Sequence, residues 1–456
     1  MTRARDRFPI LVAVAVLAAV GSCKVKKPKP EGLTGGAQAG TTRGPGATVD
    51  EQPAPPIDLV VWPALPRSAE EAEALVQKRT VRPSATTEGE LTAETIVRAA
   101  EAAGWESLLA GEQDVVERLQ AGMDRAEREG RDAYVLWGTT HDSGGQVAAF
   151  RRLVGPGGLR GLTLVVAEQF MADGGWGGVA ADEQAGDDAD LDAFVLRGDR
   201  DAFAALSARH RSSDHAAWKF GYEDEVLELP VTARATQVRF AGCNMPKATQ
   251  ALTAQPPLGD DRLLLRLREL HCLLALSRWA SPRRVAMLWG RDHIRADGFM
   301  RFLPAEAEVL AIDVFGFRHG ELTTEAELAT RLVVLSPVLI PLDGAGHAFA
   351  LLLPDGVMGG DVDRAGDDVA ATDGGGSGLR VACSVAGRMT IAGREFHVGP
   401  EDVDLPLDPD RYAFAVEAGG LRFLGALELR EGTRIGLRFD PVERYVNWVE
   451  EPYGSK

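Results

Sequence analysis

Two copies of one short pattern carry side chains suited to chemistry. Gly138-Thr139-Thr140-His141 and Gly290-Arg291-Asp292-His293 each place an imidazole three residues after a glycine. Glu168 lies between them, directly after the apolar run Val165-Val166-Ala167. Imidazoles and carboxylates move protons near neutral pH and ligate divalent metals. Two imidazoles and a carboxylate facing one another could hold a metal ion or act as base and acid. Each glycine follows a predicted strand, where it is expected to let the backbone turn sharply so that the histidine points back across the rim. A third copy, Gly344-Ala345-Gly346-His347, opens an apolar run instead of ending one and stands outside the set.

Short apolar runs at 134–137, 162–167, 237–242, 284–289 and 309–315 alternate with helical stretches, among them a Leu- and Arg-rich segment at 260–280. This alternation predicts an α/β domain with a mostly parallel sheet and flanking helices. The runs are apolar throughout, as expected of strands covered on both faces. Ligands of such sheets gather at the carboxyl ends of the strands. The segments leaving those ends carry His141, Glu168, Asn244 and His293, which places them on one rim.

Composition divides the rest of the chain. Arg3, Arg5 and Arg7 precede an apolar run at 8–20 that ends Val20-Gly21-Ser22-Cys23. A dozen apolar residues are too few to span a bilayer, which needs roughly 20, but they suit a signal peptide. The closing tetrapeptide resembles the lipobox of bacterial lipoproteins, which implies cleavage of residues 1–22 and lipidation of Cys23. Lys24 is not the aspartate that typically signals inner-membrane retention, so the expected location is the bacterial envelope, at the outer membrane. Residues 23–58, with Lys26-Lys27-Pro28-Lys29-Pro30 and Gly35-Gly36, form a flexible linker. Residues 59–130 have helical spacing, 131–358 carry the α/β domain, and 359–378 are an acidic Gly/Asp linker without the spacing of a calcium loop. Residues 379–456 alternate short strands with turns and predict a small all-β, sandwich-like domain, which resembles the PEGA-type modules of surface proteins. Through it the chain could pair with a second copy or with another envelope protein.

Loss of residues 1–22 removes three Arg and one Asp and takes the formal charge from −17 to −19. So acidic a body disfavours nucleic acid and anionic lipid as partners and leaves the lipid anchor as the membrane contact. Cys243, Cys272 and Cys383 are scattered and predict neither a disulfide framework nor a Cys-x-x-Cys zinc site.

Several of these motifs, taken in order, resemble a known family. Val135-Leu136-Trp137-Gly138-Thr139-Thr140-His141-Asp142 and Val165-Val166-Ala167-Glu168-Gln169-Phe170 are similar to the opening of the ChaN-like haem-binding-uptake domains, of the superfamily that includes Tiki, TraB and erythromycin esterase. Trp218-Lys219-Phe220-Gly221-Tyr222, Phe240-Ala241-Gly242-Cys243-Asn244-Met245-Pro246 and Met287-Leu288-Trp289-Gly290-Arg291-Asp292-His293 resemble its later sections. The likeness covers roughly residues 130–320. The superfamily pattern pairs the two Gly-x-x-His motifs with a glutamate and an arginine, which implies roles for His141, His293, Glu168 and an arginine on the preceding helix, Arg268 or alternatively Arg266. ChaN-like domains carry glutamate after the first glycine; here it is Thr139, which weakens the case for metal.

The resemblance implies two functions. One is capture of haem or a related metal-containing ligand for iron uptake, with Tyr222 or His215 (or His210) on the iron and Trp176, Trp218 and Phe220 as cover. The other is metal-dependent hydrolysis of the protease or esterase kind. There His141, His293 and Glu168 would bind metal or activate water, and Arg268 would steady negative charge. A structural role on the envelope is the third. Cys23→Ser is expected to abolish incorporation of labelled palmitate and to move the chain into the aqueous phase of a detergent partition. Label retained by that variant would refute lipidation at Cys23.

Overall fold

The computed structural model describes residues 66, 68–82, 91–105, 108–140, 144–171, 199, 201–202, 204–205, 223–245, 261–277, 281–294, 298–316, 323–344, 346–354 and 377–453. All of them lie in the unit Ile57–Lys456. The expected signal peptide, Cys23 and both linkers fall outside them, apart from Ser377 and Gly378, the latter the first residue of a strand.

The first described elements are helices α1 (Ala69–Arg79) and α2 (Ala93–Ala103), the two-residue strand β1 (Leu109–Ala110) and helix α3 (Glu112–Arg128). The first two helices start where the sequence supplies a cap. The Ser68 side chain accepts the Glu71 N–H, and Thr92 and Thr95 cap each other reciprocally. Then come β2 (Ala133–Thr139), α4 (Gly144–Val154), β3 (Leu164–Met171), α5 (Glu223–Ala235), β4 (Arg239–Asn244) and α6 (Asp261–Leu276). Next are β5 (Arg284–Gly290), the single turn α7 (Arg291–Ile294), β6 (Glu308–Gly316) and α8 (Thr323–Arg331). Three strands follow, β7 (Leu332–Val334), β8 (Val338–Pro341) and β9 (Ala348–Leu353).

Eight of these strands form one sheet in the order β1-β8-β9-β6-β2-β5-β3-β4. From β9 to β4 all neighbours run parallel, while β8 and β1 add an antiparallel edge. The α/β architecture read from the sequence is therefore the architecture of the molecule. Alternate residues of each strand serve two cores. Val135, Trp137, Val165, Ala286, Leu288, Leu310 and Ile312 pack beneath α3, α4 and α5. Tyr134, Leu136, Val166, Met287, Trp289, Val309 and Ala311 pack with Cys272, Ala275 and Leu276 of α6 and with Ile294 of α7. A strand buried on both faces has no polar register, which is why these runs carry no alternation. β4 begins two residues later than the sequence run, because Gln237 turns the chain at φ 58°, and it ends at Asn244.

The C-terminal strands β10 (Gly378–Cys383), β11 (Gly387–Ile391), β12 (Arg394–Val398), β13 (Val403–Pro406), β14 (Arg411–Ala418), β15 (Leu421–Glu428), β16 (Thr433–Asp440) and β17 (Tyr445–Pro452) make two sheets. Their orders are β13-β10-β16-β17 and β12-β11-β14-β15-β7. Leu379, Val381 and Leu437 from one sheet and Met389, Ile391 and Phe423 from the other share a core. The apolar run 332–339 divides at Pro337. Its first part, β7, pairs parallel with β15 of the sandwich, and its second, β8, pairs with β9. Proline cannot donate to a ladder and favours such a break.

At the amino end of the large sheet, Asp132 is buried against the start of β5. It accepts the Ser281 hydroxyl, the Arg283 N–H at 2.7 Å and the Arg283 Nη2 at 2.6 Å. Burial by itself would raise the Asp132 carboxyl, but these donors outweigh it and hold the group below the ordinary carboxylate range. A carboxyl lowered in the folded state stabilises the fold above its unfolded pKa, and that contribution disappears as pH falls through the lowered value. Asp132→Ala, which strands the Arg283 guanidinium, is expected to cost about 3 kcal/mol in chemical unfolding at neutral pH. The difference from the wild type should shrink on acidification. A variant equally stable at pH 7 would refute this.

Candidate functional site at the carboxyl rim of the sheet

Three chain segments meet at one point of the rim because two ladders stop there. β3 pairs with β5 as far as Ala167↔Leu288. Its pairing with β4 is interrupted between Ala167 and Met171. Glu168 is the first residue of the interruption, and side chains complete the broken ladders. The Gly290 N–H donates to Glu168 Oε2 at 2.7 Å, and Asn244 Nδ2 donates to the Glu168 carbonyl at 2.7 Å. Buried backbone groups require such partners.

Helix α6 supplies the cations. Arg268 and Glu269 share a stripe with Cys272 and Leu276, one and two turns further on, and that stripe faces the sheet. Arg268 Nη2 donates to Glu168 Oε1 at 2.5 Å, and its Nε donates to Asn244 Oδ1 at 3.2 Å. Its guanidinium also lies 5.7 Å from the Trp289 ring centroid. The Arg268 side chain keeps 16% of its surface exposed, so solvent reaches the cluster from this side. A disulfide joins Cys243 of β4 to Cys272 of α6 with the Cα atoms 4.4 Å apart. The scattered positions of these cysteines predict no disulfide framework. A separation of 29 residues gives no sign of the pairing; the fold brings the two together. Cys383 is buried and free.

His293 sits on α7 with its imidazole buried edge-on against Trp289, at 4.9 Å between ring centroids. Its Nε2 faces Glu168 Oε1 at 3.7 Å, and its Nδ1 lies 2.8 Å from Glu269 Oε1. Arg266 Nη1 in turn donates to both Glu269 oxygens at 2.6 and 2.7 Å. Glu269 is fully buried. That burial pushes its carboxyl above the ordinary range, while His293 and Arg266 pull it down.

The structure thus brings together Glu168, Arg268, His293, Asn244 and Gly290 of the sequence set. His141 and the proposed haem ligands Tyr222 and His215, with His210, Trp176, Trp218 and Phe220, lie outside the described residues. β2 ends at Thr139 in register with Gly290. Arg266 and Arg268, alternatives in the sequence, both take part in different roles. Glu269 is missing from the sequence reading. Its one signal is the i,i+3 spacing from Arg266, which on most helices marks a solvated face.

The motif glycines act differently from the sharp turn expected of them. Gly138 and Gly290 are ordinary strand residues and have no positive φ. A Cβ on Gly138 would stand 2.5 Å from Ile294 Cδ1 and 3.2 Å from the Arg291 Cα. Glycine is needed so that α7, and His293 with it, can lie close on β2.

Both Glu168 oxygens are engaged, one by a cation, and a divalent ion there would be repelled by the neighbouring guanidinium. The described residues do not fit a metal site on Glu168. Among them, no group of three or more His, Cys, Asp or Glu side chains is placed to hold a metal ion.

No family model matches the chain, and no curated protein matches it. Among solved structures, the RRSP effector domain of a MARTX toxin from Vibrio vulnificus CMCP6 aligns at 16% identity and a TM-score of 0.26. The match covers 52% of this chain and 40% of that one, too loose a superposition to carry fold or function across.

Gly138→Ala is expected to destabilise the fold by about 1 to 3 kcal/mol through overpacking against Ile294. Ile294→Ala in the same chain should relieve part of that loss. Chemical denaturation checks both, and an unperturbed Gly138→Ala midpoint would refute the close-packing role.

Proposed function

We propose that the α/β domain is a hydrolase of ester or amide substrates that works by proton transfer at His293, in a chain exported and held to the envelope by lipid on Cys23. The observation that carries this reading is the Glu168 carboxylate, which holds Arg268 at 2.5 Å and faces His293 Nε2 at 3.7 Å. A proton acceptor, an anion and a partly exposed cation thus share one corner of the rim where α/β sheets place their ligands.

In this reading His293 Nε2 takes the proton of an attacking water. The imidazolium so formed faces the Glu168 carboxylate, which stabilises it. Arg268 lies where negative charge develops on the carbonyl oxygen. The proton then passes from His293 to the leaving group. This reading routes no step through a metal. Haem capture remains the second implication of the family likeness, but its ligands Tyr222 and His215 lie outside the described residues and no described contact favours it. The buried Cys243–Cys272 disulfide supports an oxidising compartment.

The purified chain is expected to hydrolyse p-nitrophenyl acetate at a rate unchanged by EDTA. His293→Gln and Arg268→Met should each lower kcat on the order of 100-fold or more. Absence of hydrolysis together with a Soret band on adding hemin would overturn the proposal in favour of capture.

A further inference from the structure

We infer that Glu269, held by Arg266, is a positioning residue that fixes the tautomer of His293 and turns its Nε2 toward the reaction. The role rests on the hydrolytic reading above, but the tautomer itself does not. An ionised carboxylate has only acceptor sites, so a group bonded to it must donate. Glu269 Oε1 stands 2.8 Å from His293 Nδ1. Arg266 Nη1 donates to both Glu269 oxygens, which sustains the carboxylate inside a site that excludes water. Nδ1 is therefore the protonated nitrogen of the neutral ring, and the lone pair is left on Nε2, which faces Glu168 at 3.7 Å.

The surroundings remove alternative arrangements. Trp289 and Phe299 flank the ring at 4.9 and 6.3 Å between centroids. Gly298 closes the back of the pair, where a Cβ would come within 2.0 Å of the His293 carbonyl and 3.1 Å of Arg266 Nη1. The imidazole thus packs against two aromatic rings, with one carboxylate within hydrogen-bond reach of Nδ1 and a second 3.7 Å from Nε2. A buried acid behind an imidazole is the arrangement by which catalytic triads hold a histidine in its working tautomer. There, replacing the acid by its amide preserves the geometry, inverts the tautomer and lowers kcat about 10⁴-fold. Glutamine at 269 would act likewise. Its oxygen would turn to Arg266 and its amide N–H to His293 Nδ1, moving the ring proton to Nε2.

The experiment uses the full chain labelled with ¹⁵N-histidine at mildly alkaline pH, with the His293 signals assigned by their loss in His293→Gln. The wild type is expected to show a protonated Nδ1 and an unprotonated Nε2, and Glu269→Gln the reverse. On p-nitrophenyl acetate, Glu269→Gln should lower kcat between roughly 10² and 10⁴-fold with little change in KM. An unprotonated Nδ1 in the wild type overturns the inference whether or not the variant folds. An unchanged tautomer in a folded Glu269→Gln chain also overturns it. Loss of the hydrolytic reading alone would appear as an inactive wild type that still carries the Nδ1 proton.

Discussion

The carboxylate of Glu168 ties together the three segments on which the rim depends. One oxygen holds the cation of α6 and the other holds the N–H that ends β5, while the residue's own carbonyl is held from β4 by Asn244. Burying a charge costs several kcal/mol unless its remaining lone pairs are occupied. Here one occupant is the Gly290 N–H, which the interrupted ladder leaves in need of a partner, and the other is the Arg268 guanidinium. The irregularity of β3 and the charge on Glu168 thus satisfy one another. Removing either would leave buried groups unpaired on two neighbouring strands.

The remaining features of the rim follow from keeping α6 and α7 close to the sheet. Gly138 allows α7 to approach β2, and the Cys243–Cys272 disulfide joins α6 to β4 one turn from Arg268. α1 covers the outer side of α6, with Ala72 and Val76 packed on Leu267 and Leu270. The buried face of α6 can therefore carry Arg266, Arg268 and Glu269 where apolar side chains would be expected. Each of those charges meets an opposite one within 2.7 Å.

The C-terminal sandwich draws its edge strand β7 from the segment just ahead of β8 of the large sheet. Helix α2 contributes Ile96 and Ala100 to a core that also holds Ile340 and Leu352 of the large sheet and Ala415 and Leu424 of the sandwich. Among the described residues the sandwich is thus packed onto the edge of the sheet opposite Glu168.

The large-scale plan was legible in the sequence. Unbroken apolar runs such as Val285-Ala286-Met287-Leu288 belong to strands covered on both faces, and their alternation with helices leaves a parallel sheet as the arrangement that buries them all. Glu168 and His293 could be placed on one rim because parallel topology sends every carboxyl end the same way, whereas Arg268, on a helix, was pointed to only by the family resemblance, with Arg266 as its alternative. Tertiary structure alone decided what those residues touch. Arg266 and Glu269 look like a surface pair until Gly298 and His293 close on them. Cys243 and Cys272 look unrelated until α6 lies on β4. Gly138 looks like a turn residue until Ile294 is seen against it. Periodicity along a chain reports which faces are apolar, but a buried polar contact depends on distances between segments far apart in sequence, and those exist only once the sheet has formed.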